Sequence, residues 1–413
     1  MISTFFKNLE VTVDLIRSGF SVQRLERLRA WMQGYVARGE LPCASVLVNR
    51  DGTTVFREEC GWQDLEILTP LQPEAIYRIM SMTKPVTALA ALLLYEEAAF
   101  DLGTPISRFL PEFKQMKVVN GKKADGTPEL EDAAYPITFR HLFTHTSGIS
   151  YGFDPNDSVD QLYLEKLASY YNPLDAGYSL KESIESLARL PLAFQPGTSW
   201  RYGLNLDVLA LLVETISGKP YPDFLHERIF EPLGMVDTSF VLPDSKLERL
   251  TVLYTRDEDS GELRRRDVPN PLPLILWGGG GLYSTMDDYA RFAGMLIKRG
   301  ELDGVRLISP SSAAMFSMNW ASEQAMADYN KGTPEAKGGL GYSLGTSVLL
   351  NPSAAGVYGN PGEFTWGGAF STYFWVDPRE ALFGIFMTQF DLNDYYPINK
   401  QFHQLVYQAL IEN

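Results

Sequence analysis

The pattern of apolar and polar residues predicts a helix followed by a β-hairpin near the start of the chain. Between Ser21 and Arg38, apolar residues recur every three or four positions, which is typical of the buried face of a helix. Two β-rich runs, 43–50 and 53–60, then flank Asp51-Gly52, a dipeptide that favours a two-residue hairpin turn. One helix and two antiparallel strands therefore open the chain.

The middle of the chain, from Ser81 to about Gly300, has helical patterns separated by long loops. The polar stretches 120–134 and 154–158 are predicted to be two of these loops. The clearest helix is 207–217, because it has an acidic start and is followed by Gly218, a residue that commonly ends helices.

Strand patterns return beyond Leu340. The predicted strands are 342–349, 356–358, 369–376 and 382–388, and a last helix is predicted over 399–411. Because strands lie at both ends of the chain, the simplest way to bury them is one antiparallel sheet built from both termini and flanked by the terminal helices. The expected fold class is α+β, with an α/β part at 1–80 and 301–413, a mainly helical part at 81–300, and the active site between them.

Composition and charge restrict the possible partners. The 413 residues are 45% hydrophobic and 21% charged, and the formal net charge of −15 disfavours nucleic acid and anionic membrane surfaces. No apolar run reaches the 18 residues that a membrane span requires, so we expect no span. Charged residues interrupt the first ten positions, where a secretion signal has its apolar centre, and we therefore expect a cytoplasmic protein.

The few cysteines and histidines do not indicate a metal site. The hairpin register implied by Asp51-Gly52 sets Cys43 opposite Cys60, close enough for a disulfide, although in a reducing compartment we expect two buried thiols. The four histidines lack metal-ligand spacing, and we predict no metal and no cofactor.

The segment Ser81-Met-Thr-Lys84 is the strongest chemical signal in the chain. Residues three apart share one face of a helix, so this spacing sets a hydroxyl beside an amine. An amine whose pKa is lowered can accept the serine proton and create a nucleophile for acyl transfer. Pro85 favours a helix start at this point. A chain with this serine and lysine content should contain about one such spacing by chance, so the motif needs support from the rest of the sequence.

Two further segments have both structural and functional interpretations. Tyr202 precedes the predicted helix at 207–217 and is either a core anchor or a hydroxyl directed at a pocket. Trp366-Gly367-Gly368-Ala369 precedes a predicted strand and is either a plain turn or a place where a ligand approaches the backbone closely. A free backbone N–H there could supply half of an oxyanion hole.

A second candidate nucleophile is Ser343, because Gly341-Tyr-Ser343-Leu-Gly345 matches the nucleophile elbow of α/β-hydrolases and His403 follows in the required order. That elbow requires a strand before the serine and a helix after it. The residues after Ser343 favour a strand instead, so a buried strand serine is the preferred interpretation.

Five sequence blocks, taken in order, resemble those of the serine hydrolases with the class C β-lactamase and penicillin-binding-protein fold. Within that group they are most similar to the family VIII carboxylesterases. The blocks are Ser81-Met-Thr-Lys84, His145-Thr-Ser-Gly148, Trp200-Arg-Tyr202, Gly278 to Asp288 and Trp366-Gly-Gly368. The resemblance covers roughly residues 20–411.

The resemblance implies a β-lactamase-like fold with Ser81 as the nucleophile and Lys84 and Tyr202 as the pair that handles protons. It also implies an oxyanion hole formed by the backbone N–H groups of Ser81 and Ala369, and a structural role for His145. Which of Lys84 and Tyr202 is the base in acylation stays open.

Two positions depart from the β-lactamase pattern. Leu204 stands where the Tyr-x-Asn motif has its asparagine, and Trp366 stands where Lys-Thr-Gly has its lysine. The change at Trp366 removes a cation suited to a carboxylate and supplies an aromatic wall, so we expect Trp366, Gly367 and Gly368 to bind neutral esters.

The expected activity is that of a serine carboxylesterase acting on small-molecule esters of short to medium chain length through an acyl-enzyme. The same site could serve an acyltransferase of the lovastatin type or a weak β-lactamase. The sequence leaves the natural substrate and the oligomeric state open.

Overall fold

The computed structural model describes residues 18–124, 127–171, 179–268, 278–331 and 338–411; the N-terminal segment used above to predict localisation lies outside them. The strands are β1 (Cys43–Arg50), β2 (Thr53–Asp64), β3 (Thr69–Pro70), β4 (Ile76–Arg78), β5 (Lys117–Lys122), β6 (Pro128–Asp132), β7 (Tyr254–Arg256), β8 (Leu263–Arg265), β9 (Tyr283–Thr285), β10 (Glu301–Leu302), β11 (Val305–Arg306), β12 (Leu340–Tyr342), β13 (Ser347–Leu349), β14 (Phe364–Gly368), β15 (Thr372–Asp377) and β16 (Leu382–Met387).

The largest element is an eight-stranded sheet of order β12-β13-β14-β15-β16-β1-β2-β3. Every neighbouring pair in it is antiparallel. The two ends of the chain meet where β1 pairs with β16, with Val46 opposite Phe386. The predicted α+β fold, with one antiparallel sheet assembled from both termini, is therefore confirmed.

Helices flank this sheet and fill the region between its two sets of strands. They are α1 (Val22–Ala37), α2 (Thr83–Glu96), α3 (Phe139–Phe143), α4 (Ser158–Tyr171), α5 (Leu180–Leu187), α6 (Asn205–Ser217), α7 (Tyr221–Leu225), α8 (Glu231–Leu233), α9 (Met286–Ile297), α10 (Pro310–Met315), α11 (Glu323–Lys331), α12 (Pro352–Ala355) and α13 (Ile398–Tyr407). In the described ranges, no helix combines the length and the apolar character that crossing a bilayer demands.

The sheet is buried on both faces. On one face, α1 and α13 cover the strands and bury a cluster that includes Leu28, Val46 and Phe402. On the other face, Leu47 of β1 and Phe374 of β15 belong to the same core cluster as residues of α2 and α6. The sheet and the helical region therefore share one continuous core. The chain boundaries proposed at 80/81 and 300/301 stay a prediction.

The predicted local structure needs correction at four places. The polar stretch 120–134 contains most of a hairpin, β5 and β6, because backbone pairing there does not require apolar side chains. The predicted strand 342–349 is divided by a turn at 343–346. No strand forms at 356–358, where Gly356 ends α12. Finally, Trp366 to Gly368 form the end of β14 rather than the approach to a strand.

The predicted pairing of Cys43 with Cys60 is wrong by one residue. A β-bulge between Val48 and Asn49 shifts the register, so that Cys43 lies opposite Gly61 and Cys60 lies opposite Ala44. Because a one-residue shift exchanges the faces of a strand, the two side chains point to opposite sides of the sheet. Both cysteines are free thiols.

We therefore predict that no disulfide forms in the native protein under mild oxidation. Burial raises the pKa of the Cys43 thiol to about 12 and that of Cys60 to about 11, so little reactive thiolate is present at neutral pH. Intact mass after treatment with oxidised glutathione should show both thiols unlinked. A mass lower by two hydrogens, or a melting temperature that falls on adding a reductant, would contradict the observed register.

Candidate active site

Ser81 lies in a sharp turn between β4 and α2. A 3₁₀ turn, Met80–Met82, precedes the helix, and Met80 adopts a φ of +46°, a conformation that non-glycine residues seldom take. Pro85 is the third residue of α2, as its placement in the first turn predicted. The Ser81 hydroxyl is consequently held at a helix N-terminus, where the helix dipole favours negative charge.

Lys84 lies one turn further along α2 and is completely buried. Its Nζ donates to Ser81 Oγ at 3.0 Å and to the backbone carbonyl of Gly279 at 2.6 Å. The same nitrogen lies 4.6 Å from the centre of the Tyr202 ring. Two hydrogen-bond acceptors and an aromatic ring therefore hold the Lys84 amine in place. One of the acceptors is Ser81, the predicted nucleophile.

Tyr202 reaches Ser81 from the loop before α6. Its hydroxyl donates to Ser81 Oγ at 2.9 Å, so the serine oxygen lies between an amine and a phenol. The loop is fixed by backbone contacts with a neighbouring segment: a Cβ at Gly203 would collide with the carbonyl of Ile149. The Lys84 amine and the Tyr202 phenol therefore meet at one oxygen atom, that of Ser81, although Tyr202 is distant from Ser81 in sequence.

His145 supports this loop and does not touch Ser81. Its Nδ1 accepts from the Gly203 N–H at 3.3 Å and lies 2.8 Å from the Asn205 amide nitrogen, and its ring lies 4.9 Å from that of Tyr202. Burial, and then the charge of Lys84, hold the pKa of His145 well below its usual range. A neutral, structural histidine agrees with the prediction. Asn205, one place after the position of the β-lactamase asparagine, bonds to His145 and accepts from the Ser147 hydroxyl.

The end of β14 lies against the turn that carries Ser81. A Cβ at Gly368 would collide with the carbonyl of Ile79 and with Thr372 Oγ1, so only glycine permits this approach. The Thr372 hydroxyl also donates to the Ile79 carbonyl at 3.2 Å. Ala369 follows in an exposed turn. The geometry brings the strand end to the nucleophile, while the oxyanion role of the Ser81 and Ala369 N–H groups stays a prediction.

Aromatic side chains surround the Tyr202 ring. Its centre lies 5.6 Å from that of Trp366 and 5.0 Å from that of Tyr151. Phe153 stacks on Tyr151 at 4.7 Å and is 67% exposed, so the aromatic surface extends to the outside. Trp366 itself is half-buried, as a wall of a binding site requires.

The alternative nucleophile, Ser343, is excluded by its surroundings. It is completely buried in the turn between β12 and β13, and its hydroxyl donates to the Met315 carbonyl at 2.8 Å. His403, the proposed base, instead pairs with Glu363 at 2.9 Å. A strand, β13, rather than a helix follows the serine, and the candidate base is paired with Glu363, so the elbow hypothesis is wrong.

Sequence reasoning missed Asp207 and the Gly279 peptide as parts of the site. Asp207 Oδ1 accepts from the Gly279 N–H at 2.9 Å, and the carbonyl of the same residue accepts from Lys84. Gly279 lies in a block of the family resemblance, whereas Asp207 was interpreted only as an acidic helix start. Its position five residues after Tyr202 was the signal available.

Comparison with known proteins agrees with this geometry. The family model described as Beta-lactamase matches residues 28–408. The chain is 30% identical over 390 residues to Esterase EstB of Burkholderia gladioli, covering 88% of this chain and 89% of that protein. It is also 30% identical over 344 residues to the monacolin J acid methylbutanoyltransferase of Aspergillus terreus, covering 80% and 79%.

A solved structure gives the same result for the fold. The unliganded simvastatin synthase (LovD) from Aspergillus terreus superposes with a TM-score of 0.83 at 25% identity, covering 95% of this chain and all of that one. The chain therefore belongs to the beta-lactamase family of serine hydrolases, as its sequence blocks predicted.

Proposed function

We propose that this protein is a serine carboxylesterase that hydrolyses short- to medium-chain esters through an acyl-enzyme on Ser81. One observation carries the proposal: Ser81 Oγ lies 3.0 Å from Lys84 Nζ and 2.9 Å from the Tyr202 hydroxyl. Both distances are within the range over which a general base removes a proton. The similarity to Esterase EstB supports an ester as the substrate.

In the first step, Ser81 Oγ bonds to the ester carbonyl carbon while its proton passes to Lys84 or Tyr202. The negative charge that develops on the carbonyl oxygen faces the backbone N–H groups assigned to Ser81 and Ala369. When this intermediate collapses, the bond to the alcohol oxygen breaks and the alcohol takes a proton from the same pair. In the second step, water attacks the acyl-enzyme by the reverse sequence.

The residue at position 366 supports a neutral substrate. Trp366 packs beside Tyr202 where a β-lactamase of this fold has a lysine, and an indole ring offers no positive charge to a carboxylate. Leu204, also changed from the β-lactamase motif, is buried and apolar. Both changes favour an ester without a charge near the scissile bond.

Acyl transfer to an alcohol is the second candidate, because the chain is 30% identical to a methylbutanoyltransferase as well as to an esterase. The two reactions share the acyl-enzyme and differ only in whether water or an alcohol attacks it. Adding an alcohol acceptor to the ester assay and quantifying the new ester against the free acid measures the division between them.

Ser81→Ala should abolish hydrolysis of p-nitrophenyl butyrate and labelling by a serine-directed phosphonate. Ser343→Ala is the matched control: it removes a buried hydrogen bond and costs about 1 kcal/mol of stability, but it should keep most of the activity of the folded protein. Turnover by Ser81→Ala together with an inactive Ser343→Ala would refute the assignment of the nucleophile.

Lys84→Met and Tyr202→Phe should each lower kcat about 10²- to 10⁴-fold, because each removes one of the groups that exchange a proton with Ser81. Steady-state kinetics with p-nitrophenyl butyrate measures the loss, and thermal unfolding confirms that the variants fold. Tyr395→Phe is the control, since Tyr395 is 56% exposed. A variant of Lys84 or Tyr202 with normal kcat would remove that residue from the mechanism.

The wild-type protein should hydrolyse p-nitrophenyl butyrate with a kcat/KM about 10- to 100-fold above that for nitrocefin. A hydrogen bond to a charged group contributes about 1.5–3 kcal/mol, and a lactam carboxylate finds no cation at Trp366. Comparable values for the two substrates would argue against the proposed preference for neutral esters.

A further inference from the structure

Asp207 is a buried carboxylate behind the reacting groups. It lies in the first turn of α6 and is 2% exposed. Its Oδ1 accepts from the backbone N–H of Gly279 at 2.9 Å, whereas Oδ2 has no hydrogen-bond partner. The single hydrogen bond from Gly279 therefore compensates only part of the negative charge of this carboxylate.

The backbone of Gly279 connects the Asp207 carboxylate to Ser81 through Lys84. Its N–H donates to Asp207, and its carbonyl accepts from Lys84 Nζ at 2.6 Å. Lys84 in turn donates to Ser81 Oγ at 3.0 Å. A continuous series of three hydrogen bonds therefore runs from Asp207 through Gly279 and Lys84 to Ser81. Gly279 takes part in it through its backbone N–H and carbonyl.

The electrostatics couple the same two side chains directly. Burial raises the pKa of Asp207 to about 6, and the nearby charge of Lys84 opposes that rise. At neutral pH the carboxylate is therefore ionised and close enough to Lys84 for the two charges to interact.

A histidine and three tyrosines are the other titratable side chains described around this pair. His145 lies beside Lys84 and has a pKa far below its usual range, while Tyr151 and Tyr202 present their rings to the amine. Tyr221 faces Asp207 from α7, and burial raises the pKa of its hydroxyl, which bonds to Thr87. Asp207 is thus the source of negative charge in this group of side chains.

We infer that Asp207 is a positioning residue for the reaction at Ser81: it fixes the Gly279 backbone that holds Lys84 Nζ in place, and it sets a negative charge near that amine. The inference rests on the proposed function. It extends that function by assigning the placement of Lys84 Nζ to a residue that does not touch Ser81.

The test is Asp207→Asn, which keeps an oxygen that can accept from Gly279 but removes the charge. The variant removes a negative charge close to the amine, so the limb of the kcat/KM profile that reports Lys84 should move to lower pH by about one unit. This direction holds whether catalysis requires the protonated or the neutral amine. The profile is measured with p-nitrophenyl butyrate between pH 5 and 10.

Asp288→Asn is the matched control. Asp288 is also a buried carboxylate in the first turn of a helix, α9, and its pKa is also raised by burial, but it accepts from Asp237 and Thr238. Its profile should superpose on that of the wild type. An Asp207→Asn profile that superposes as well, or an equal shift in Asp288→Asn, would overturn the inference.

A second measurement does not depend on turnover. The pH titration of the lysine ¹³Cε signals by NMR, with Lys84→Arg for assignment, should show the Lys84 signal titrating about one unit lower in Asp207→Asn. A wild-type protein that hydrolyses esters, with an unmoved Lys84 signal, would overturn the role of Asp207 alone. A shifted signal in a protein with no turnover and no phosphonate labelling would support the coupling and refute the esterase.

A second variant guards against a misfolded Asp207→Asn. A Cβ at Gly279 would lie 2.7 Å from Asp207 Oδ2 and 2.8 Å from the Tyr151 hydroxyl, so Gly279→Ala pushes the carboxylate away without changing any charge. The Lys84 titration should then move in the same direction by a smaller amount. An unchanged titration in a folded Gly279→Ala protein would count against the inference.

Discussion

An amine kept entirely inside the protein core is the constraint on which the rest of this site depends. Lys84 has no exposed surface, and an uncompensated buried charge costs several kcal/mol. The Gly279 carbonyl, Ser81 Oγ, the Tyr202 ring and the Asp207 carboxylate offset that cost. The same contacts also orient the amine. The interactions that stabilise the buried Lys84 therefore also create the geometry of the site.

The fold brings these groups together through close backbone contacts rather than through local sequence. Pairing of β1 with β16 joins the two ends of the chain, and the Ile79 N–H donates to Leu282 at 3.1 Å, which anchors the turn before Ser81. Gly203 and Gly368 let two further segments approach backbone carbonyls at distances that any Cβ would prevent. Position in the site is therefore set by tertiary packing around a few glycines.

The difference between local and long-range contacts explains what could be predicted from the sequence. The pairing of Ser81 with Lys84 follows from helical spacing, and the hairpin turn at Asp51-Gly52 follows from turn chemistry; both are local. The β-bulge that separates Cys43 from Cys60 has no signal in the hydrophobic pattern, because an extra residue in one strand changes the register without changing the composition.

Long-range relations required more than local patterns. The convergence of Tyr202 on Ser81 was predicted only by resemblance to a family, since a sequence separation of 121 residues allows many arrangements. Asp207 was interpreted only as a helix start, because its carboxylate becomes part of the site through a hydrogen bond from the Gly279 N–H, which forms only in the folded chain. The hairpin of β5 and β6 was missed because its exposed polar side chains resemble those of a loop.

The aromatic residues link substrate preference to catalysis. Trp366, Tyr151 and His145 pack around the Tyr202 ring, and Trp366 Nε1 and His145 Nε2 are buried without a hydrogen-bond partner. Such surroundings have a low effective dielectric constant, which strengthens the influence of the Lys84 charge on Ser81 and penalises a substrate carboxylate that lacks a cation. A lysine at position 366 would admit that carboxylate, but it would also remove a ring that holds Tyr202 in place. The proposed preference for neutral esters and the orientation of the phenol therefore depend on the same packing and cannot be changed independently.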